Sequence, residues 1–360
     1  MRILFVDRHT KVGGLNTYLR SLVPSLNRLG HECYLVSRRG PFWGATRSLF
    51  AQAAWHPPLE GWSTQVIARA LRAWKADLVV AQTTTCAREA EPACRSLGVP
   101  LVMHIHSMTN LKDAGAGLDY ASRIVVMNPS NAEFMRRRFP QVAERLYVSR
   151  LPVDLDSHPA EAPREGAGFR VLYCARLSRS KGHQGFAALQ AVSLLAGEIP
   201  ELSVTLLGGR GSRLTAARKE ARELNRQAGR RATSAYPVVL DPRPFMAEAD
   251  LVVGAGYVAL EGLAMNRRVV GLGVLGLYGE VTEENLPEAL AWNFGDQHAE
   301  QTEVTPELVA KTFLDAYHHH QREGQITWGH ESLRRYNDPQ EIARELTELY
   351  NSVLNRPAGT

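Results

Sequence analysis

Short apolar runs alternate with amphipathic stretches along the whole chain. In the first half the apolar runs include residues 3–6, Leu78–Ala81 and Leu101–Ile105, and each has the length of a buried strand. Residues 15–29 lie between two such runs, and their apolar side chains form one helical stripe: Leu15, Leu19, Leu22, Val23 and Leu26. Alternation of this kind predicts an α/β protein with parallel sheets covered by helices on both faces.

The same alternation restarts after a segment with prolines and small residues, 156–168. A new strand is predicted at Phe169–Cys174, and further strands at 204–207 and 238–240. Residues 250–271 read as strand, turn, helix and strand. Asn337 or Asp338 can act as a helix cap before Pro339. This pattern predicts a final helix over residues 338–356. The pattern therefore predicts two domains, 1–155 and 169–337, joined by the linker 156–168.

Composition narrows the class of protein. A chain of 360 residues with 44% hydrophobic and 22% charged residues is typical of a soluble two-domain protein. No apolar run is long enough to span a bilayer, and the first residues enter a strand directly, which disfavours a signal peptide. The four cysteines form no CxxC pair and no metal spacing, so we expect reduced thiols in the cytoplasm.

The net charge of +5 is a modest basic excess. It suits an acidic ligand or an anionic membrane, and we expect no nucleic-acid partner because no helix-turn-helix, zinc finger or RNA-binding motif is present. Basic and aromatic residues cluster at 38–58 and at 136–138. A solvated surface is the favoured interpretation of both clusters, and contact with a membrane is the alternative.

The stretch 250–271 carries the strongest candidate chemistry. Gly254 and Gly256 form a turn that lets a ligand approach the backbone, and Tyr257 begins a helix whose start favours an anion. Glu261, about one turn later, can accept hydrogen bonds from a ribose. One alternative is a dinucleotide site, because GAGYVA matches Gly-x-Gly-x-x-Ala; that fingerprint needs an acid about twenty residues on. The chain has none until Glu280. A plain turn with a solvated glutamate is the other alternative.

Other candidate residues also follow predicted strands. Arg176 and Lys181 flank the loop after Phe169–Cys174, where they can hold a diphosphate. The remaining candidates are glycines at strand ends and a histidine that follows VMHI: Gly13, Gly14, Gly209 and His106. Because parallel strands bring their carboxyl ends to one edge, several such loops can converge on one phosphate-bearing ligand. The triplet 318–320 of histidines is read as a helix end, so no metal site is expected.

These motifs together resemble the GT-B retaining glycosyltransferases of family 4 over nearly the whole chain. The resemblance rests on the Gly13-Gly14 loop, His106 and Leu-Pro-Val-Asp154, then Ala-Arg176-Leu-x-x-x-Lys181-Gly, Leu-Leu-Gly-Gly-x-Gly and Glu261-Gly-Leu-Ala. It implies two Rossmann-like domains that face each other across a cleft, with the last helix crossing back to the first domain. It also implies roles: Arg176 and Lys181 for the donor diphosphate, Glu261 for the ribose, Gly14 for the phosphate and sugar, and His106 near the reacting sugar.

The sequence departs from that family at one functional position. The family has two glutamates separated by seven residues, and Val253 replaces the first of them. The turn Gly-x-Gly followed by a single glutamate resembles the motif of the inverting enzyme that adds N-acetylglucosamine to a lipid-linked peptidoglycan precursor. Retention is favoured, in which case the departing phosphate takes the acceptor proton. Inversion would need a base, and His106 is the first candidate.

The expected activity is transfer of a sugar from a nucleotide-diphosphate sugar, with UDP-sugars favoured, to a hydroxyl group. The acceptor would be a carbohydrate, a lipid-linked molecule or a small molecule, as in cell-envelope polysaccharide or glycoconjugate synthesis. We expect no cofactor and no metal, and a cytoplasmic location with peripheral contact at the inner face of the membrane as an alternative. Two other functions stay open: a nucleotide-sugar-binding protein without catalysis, and a dinucleotide-dependent oxidoreductase.

Overall fold

A computed structural model describes residues 1–57, 61–107, 115–160, 168–177, 182–297 and 303–355. The chain divides into two compact units. The first unit comprises Met1–Asp154 together with the chain from Asn337 onward, and the second comprises Leu155–Tyr336. Each unit has its own sheet and its own apolar core, so both are Rossmann-like α/β domains.

The first unit contains a seven-stranded sheet. Its strands are β1 (Arg2–Val6), β2 (Glu32–Arg38), β3 (Gln52–His56), β4 (Leu78–Ala81), β5 (Leu101–Ile105), β6 (Arg123–Val126) and β7 (Leu146–Val148). They lie in the order β3-β2-β1-β4-β5-β6-β7, and every neighbouring pair is parallel. In register, Ile3 lies opposite Cys33 of β2 and Leu78 of β4. The continuous apolar runs predicted as buried strands therefore form the centre of this sheet.

Helices connect these strands. They are α1 (Gly14–Arg28), α2 (Pro41–Thr46), α3 (Trp62–Trp74), α4 (Thr84–Leu97), α5 (Gly115–Leu118) and α6 (Pro129–Arg138). α1 buries its predicted stripe, with Leu19, Leu22 and Leu26 fully inaccessible, because one face of an amphipathic helix packs on the sheet. Its first residue directly follows Gly13, so the glycine loop ends at the helix start as predicted.

The second unit contains a six-stranded sheet. Its strands are β8 (Phe169–Cys174), β9 (Leu202–Gly209), β10 (Thr233–Pro237), β11 (Leu251–Gly254), β12 (Arg268–Gly273) and β13 (Gly276–Val281), in the order β10-β9-β8-β11-β12-β13. All neighbours are parallel except β12 and β13. The strand expected at 238–240 is wrong, since the strand ends at Pro237 and Leu240 is 66% exposed.

The helices of the second unit are α7 (Gly182–Leu194), α8 (Gly211–Ala228), α9 (Arg243–Ala247), α10 (Tyr257–Ala264), α11 (Leu286–Ala291), α12 (Pro306–Glu323) and α13 (Gly329–Asn337). A 3-10 turn at Asn293–Gly295 separates α11 from α12. Among all described helices of the chain, none combines the length and the apolar character needed to cross a membrane.

The last helix, α14 (Pro339–Leu354), belongs to the first unit. Asp338 caps it, with its Oδ1 accepting from the backbone N–H groups of Gln340 and Glu341 at 2.7 and 3.0 Å. Its apolar face is buried, and Thr347 Oγ1 lies 2.9 Å from His31 Nε2 of the first unit. The return of the final helix to the first unit, which the family resemblance implied, is confirmed.

Each sheet has a point where the strand order reverses. In the first unit β1 lies between β2 and β4, and in the second unit β8 lies between β9 and β11. The loops that leave the two adjacent strands at such a point run to opposite sides, which opens a crevice at the carboxyl ends where α/β proteins bind ligands.

Candidate functional site

A glycine turn joins β11 to α10 at the reversal point of the second sheet. A Cβ atom on Gly254 would lie 2.6 Å from Val258 Cγ1 and 2.9 Å from the carbonyl oxygen of Cys174, so only glycine fits there. Gly256 has a φ of 59° and a ψ of −128°, a conformation that other residues rarely adopt. No side chain caps the helix start at Gly256, and the start of a helix favours an anion.

Glu261 is buried near this turn. The side chain projects from α10, and its Oε1 lies 3.8 Å from Nε2 of His158. Burial, together with the charge of Glu261, raises the pKa of Cys174 at the end of β8 to about 12. The carboxylate therefore lies close to the carboxyl ends of both β8 and β11. A buried carboxylate at this position can accept hydrogen bonds from ribose hydroxyls.

Arg176 extends from the loop after β8 and is exposed. The described residues provide no ion-pair or hydrogen-bond partner for its guanidinium. The backbone of this loop is held against the end of β9, because Ala175 and Leu177 donate N–H groups to the carbonyls of Leu207 and Gly208 at 3.0 and 3.2 Å. The structure thus brings Arg176, the glycine turn and Glu261 to one edge of one sheet. Lys181 lies outside the described residues.

Gly209 ends β9 and is buried against α8. A Cβ atom there would lie 2.8 Å from Leu214 Cδ1. Glycine at this position therefore allows α8 to pack closely against the end of β9. The neighbouring Gly208 has a φ of 121°, and a side chain on it would collide with the carbonyl of Ala175. The two glycines therefore allow the loop after β8 to pass close to β9.

Arg213 is a candidate that the sequence analysis missed. It lies in the first turn of α8, and its guanidinium contacts the position of Gly182, the residue that follows Lys181. A second cation thus approaches the loop after β8. The sequence signal is weak because α8 contains several other arginines, and spacing alone does not say which of them faces that loop.

A second feature that was missed is the turn at Asn293–Gly295. Asn293 and Phe294 have φ values of 48° and 57°, so two successive residues other than glycine are left-handed. The Asn293 amide atoms would lie 3.6 Å from a Cβ atom on Gly256. Val253, which replaces the first family glutamate, is fully buried in β11. Asn293 therefore places a polar side chain beside the glycine turn, although it lies about forty residues after Val253 in the sequence.

The reversal point of the first sheet carries an acid and a histidine that were not predicted. Asp7 follows β1 and is fully buried. Its Oδ2 accepts the backbone N–H of His9 at 2.7 Å, and its Oδ1 accepts the ring Nδ1–H of His9 at 2.6 Å. Ser37 donates to Oδ2 at 3.4 Å. The His9 side chain is 46% exposed. The sequence signal for this pair is Asp-x-His directly after the first strand.

His106 follows β5 and is partly buried. Its Nε2–H donates to Gln82 Oε1 at 2.8 Å. Burial lowers its pKa well below the ordinary value of 6.5, and the nearby His104 and His9 add to that effect. A low pKa makes an imidazole a weak base. The contacts of His106 therefore favour a structural or positioning role at the carboxyl end of β5.

His104 is fully buried between two tyrosines. Its Nδ1 lies 3.0 Å from Tyr18 Oη of α1, and its Nε2 lies 3.1 Å from Tyr350 Oη of α14. Because a neutral imidazole has one N–H donor and one acceptor nitrogen, one tyrosine donates and the other accepts. Burial lowers the pKa of His104 to about 3. This histidine therefore joins β5 to two helices of the first unit and stays neutral.

Gly13 and Gly14 lie at the start of α1, where the carbonyl of Gly13 accepts from Asn16 N–H at 2.8 Å. Two buried amides lie at this edge of the sheet: Asn16 in the first turn of α1, and Gln82 directly after β4. Their Nδ2 and Nε2 groups have no partner among the described residues. Unpaired buried donors of this kind are uncommon and often mark a place for a ligand or a water. In the described residues, no three histidine, cysteine, aspartate or glutamate side chains are arranged to hold a metal.

Comparisons with known proteins concern the fold and the family. Residues 12–157 match the family model described as Glycosyltransferase Family 4. No curated protein sequence matches the chain. Among solved structures, HepE from Anabaena in complex with UDP has a TM-score of 0.73 at 18% identity and covers 98% of this chain and 100% of its own.

Two further solved structures extend the comparison. Sucrose-phosphate synthase from Thermosynechococcus elongatus has a TM-score of 0.67 at 16% identity, with 98% of each chain covered. MurG from Acinetobacter baumannii has a TM-score of 0.60 at 16% identity, with 98% of this chain and 100% of that chain covered. The two Rossmann-like units match these structures over nearly the whole length. With the match of residues 12–157, we conclude that the chain is a glycosyltransferase of the GT-B fold, similar to family 4.

Proposed function

We propose that this protein transfers a sugar from a nucleotide-diphosphate sugar to an acceptor hydroxyl, and that the donor is a UDP-sugar. The observation that carries the proposal is the set of groups at the carboxyl ends of β8 and β11: exposed Arg176, the glycine turn at the start of α10, and buried Glu261. They supply a cation, N–H groups and a carboxylate, which suit a diphosphate and a ribose.

The chemistry needs charge stabilisation on the donor. When the anomeric C–O bond breaks, negative charge accumulates on the departing diphosphate, and fixed donors aimed at the phosphates lower the barrier. Arg176 and the N–H groups of the turn can do this, with Lys181 from the same loop. Arg213 adds a further cation near that loop. We propose that these groups take the place of a metal ion.

Support for a uridine nucleotide comes from the comparisons. HepE from Anabaena has been solved with UDP and with UDP-glucose, at 18% and 19% identity to this chain. A role in cell-envelope synthesis is supported by two structural neighbours, MurG and the lipopolysaccharide outer core galactosyltransferase WaaB. The acceptor would then be a carbohydrate or a lipid-linked molecule. A small-molecule acceptor is the alternative.

Two stereochemical courses belong to this proposal. The resemblance to family 4 favours retention, in which the departing phosphate takes the acceptor proton and the protein supplies no base. Inversion needs a base close to the acceptor. One structural observation favours the second course, namely the pair formed by Asp7 and His9 at 2.6 Å.

A cytoplasmic location is part of the proposal and is supported by four free cysteines. Peripheral contact with an anionic membrane is a secondary proposal. Its support is the cation–π contact between Arg39 and Trp55 at 5.1 Å, and the exposure of Trp55 and Trp62, which are 46% and 50% accessible. Binding to phosphatidylglycerol vesicles that is lost in a Trp55→Ala, Trp62→Ala double variant would support it, and unchanged binding would contradict it.

The main test is a screen of UDP-, GDP- and ADP-sugars with monosaccharides and octyl glycosides as acceptors, followed by thermal-shift measurements with the same nucleotides. We expect UDP and a UDP-sugar to raise the melting temperature and UDP-sugars to be consumed. Arg176→Ala and Lys181→Ala should each lower turnover at least about a hundredfold. Arg222→Ala, an exposed arginine on α8, is the matched control. Normal turnover in both loop variants would contradict the donor-site assignment.

A further inference from the structure

The turn at Asn293–Gly295 places one amide side chain beside the glycine turn of the second unit. A Cβ atom on Gly256 would lie 3.6 Å from both Nδ2 and Oδ1 of Asn293, so the amide faces the space that this glycine leaves open. Asn293 is partly buried, and no described residue forms a hydrogen bond with its side chain. The amide therefore offers two donor hydrogens and one acceptor oxygen to a molecule bound at the start of α10.

The backbone that carries this amide is strained, and packing holds it in place. Asn293 and Phe294 are both left-handed, with φ values of 48° and 57°, which is a costly conformation for the large side chain of Phe294. Phe294 is buried, and Leu275 donates its backbone N–H to the carbonyl of Gly295 at 3.1 Å. Strain of this kind persists only where the surrounding structure imposes it, and it occurs mainly at active sites and ligand clamps. The turn therefore indicates a functional constraint on Asn293.

Two paired strands set the position of Asn293 relative to α10. β11 leads into α10, and β12 pairs with β11 in parallel, so both strands end at the same edge of the sheet. A side chain on Gly273, the last residue of β12, would collide with the backbone of Gly295 and Asp296. The turn thus lies directly against the end of β12. The amide is therefore fixed beside the helix start by the sheet itself.

The position suits the transferred sugar of the proposed donor. The diphosphate would lie at the start of α10, and the ribose would lie at Glu261 further along that helix. The sugar is bonded to the terminal phosphate, so its hydroxyl groups lie only a few bonds from the helix start. Val253, which replaces the first family glutamate, is fully buried and has no polar side-chain atom for these hydroxyls. A hydroxyl both donates and accepts, as an amide does, whereas an ionised phosphate only accepts, so the Asn293 amide matches a sugar hydroxyl better than a phosphate.

We propose that Asn293 binds hydroxyl groups of the transferred sugar, and that this sugar is an uncharged hexose. The inference rests on the proposed transferase function and specifies the sugar-binding part of its donor site. One amide can donate to one hydroxyl oxygen and accept from a neighbouring hydroxyl, so it recognises two adjacent hydroxyls of the hexose. The neutral amide offers no counter-charge to an amino or a carboxyl group. The assigned donor class is therefore a UDP-hexose without a charge on the hexose.

The first test uses the full chain and measures, by calorimetric titration without acceptor, the binding of UDP and of the UDP-hexose that the screen shows to be consumed fastest. Asn293→Gly removes the amide and keeps the turn, because glycine adopts a φ of 48° without strain. The dissociation constant of the UDP-hexose should rise about tenfold, the effect of losing one or two neutral hydrogen bonds, and that of UDP should stay within about twofold. Asn266→Gly, at another left-handed asparagine of the second unit with a φ of 54°, is the matched control and should leave both constants unchanged.

A second test removes the hydroxyls of the sugar instead of the amide. Among derivatives of the same UDP-hexose that each lack one hydroxyl group, wild type should bind at least one about fivefold more weakly than the parent compound. Asn293→Gly should bind that derivative and the parent compound equally, because the partner of the missing hydroxyl is already gone. A purely structural role of Asn293 would not produce this coupling.

An equal loss of affinity for UDP and for the UDP-hexose would overturn the inference, because it would place the amide on the phosphates. Unchanged binding of the UDP-hexose by Asn293→Gly would overturn it as well. So would equal losses for the hydroxyl-deficient derivatives in the variant and in wild type, or a wild-type preference for UDP-glucuronic acid over uncharged UDP-hexoses. These results leave the proposed function intact. If wild type neither transfers sugar nor is stabilised by nucleotides, both proposals fail.

Discussion

Acidification should destabilise the first unit, and part of that effect comes from one buried residue, His104. Its pKa is about 3 in the folded protein, against an ordinary value of 6.5, and the cause is burial. Between these two values the unfolded chain binds a proton that the folded chain does not. Stability from this residue is therefore complete above about pH 6.5, decreases as the pH falls, and is fully lost near pH 3.

The size of the effect follows from the two pKa values. At about pH 4.5 the unfolded histidine is almost fully protonated and the folded one is almost fully neutral. The expected loss relative to neutral pH is about 2–3 kcal/mol. Carboxylates titrate in the same range, so the effect must be isolated by a variant. His104→Gln keeps one donor and one acceptor for the two tyrosines but cannot be protonated.

The assay is urea unfolding at neutral pH and at about pH 4.5, followed by tryptophan fluorescence. Four of the six tryptophans lie in the first unit, at positions 43, 55, 62 and 74, so the signal reports mainly on that unit. The loss of unfolding free energy on acidification should be about 2–3 kcal/mol smaller in His104→Gln than in wild type. Equal losses in the two proteins would refute the buried neutral histidine.

Three further predictions concern the donor site of the second unit. Glu261→Gln should raise the KM for a UDP-sugar about tenfold or more, since a charge-assisted hydrogen bond to the ribose is lost; an unchanged KM in steady-state kinetics would contradict the ribose assignment. Gly256→Ala should lower the free energy of unfolding by about 1–3 kcal/mol because its φ of 59° is strained for alanine. Gly197→Ala is the matched control and should leave the free energy of unfolding unchanged, because a Cβ atom there has open space. EDTA should leave the transfer rate within about twofold of the rate without EDTA, because Arg176 and backbone N–H groups supply the positive charge. A loss of activity that Mg²⁺ restores would contradict this prediction.

The fold could be predicted because its signals are local. Strands such as Phe169–Cys174 and Leu101–Ile105 have the predicted bounds, since short runs of mostly apolar residues indicate burial on both faces. The cap at Asp338 and the turn before Tyr257 also depend on neighbouring residues alone. The strand at Thr233–Pro237 was placed five residues late because its own sequence, TSAYP, is short and mostly not aliphatic.

The site could be predicted only in part. Glu261 and the glycine turn belong to one contiguous stretch, so their proximity follows from helix geometry. Asn293 reaches Gly256 through two left-handed residues, and no local pattern predicts such a turn. The position of His106 after a strand indicates a candidate base, but the sequence of that strand does not reveal the partners of the ring. The hydrogen bond to Gln82 and the pairing of His9 with Asp7 depend on contacts that only the folded chain shows.

The hydrogen bond between His104 and Tyr350 spans 246 positions of the chain. During synthesis on a ribosome, the residues that form the first sheet emerge before the second unit, but the helix that supplies this tyrosine emerges after the second unit. The second unit, Leu155–Tyr336, is uninterrupted in sequence and can complete its own core before that moment. The first unit should therefore complete its packing after the second unit, and a nascent chain stalled before residue 339 should expose the surface of α1 that α14 later covers.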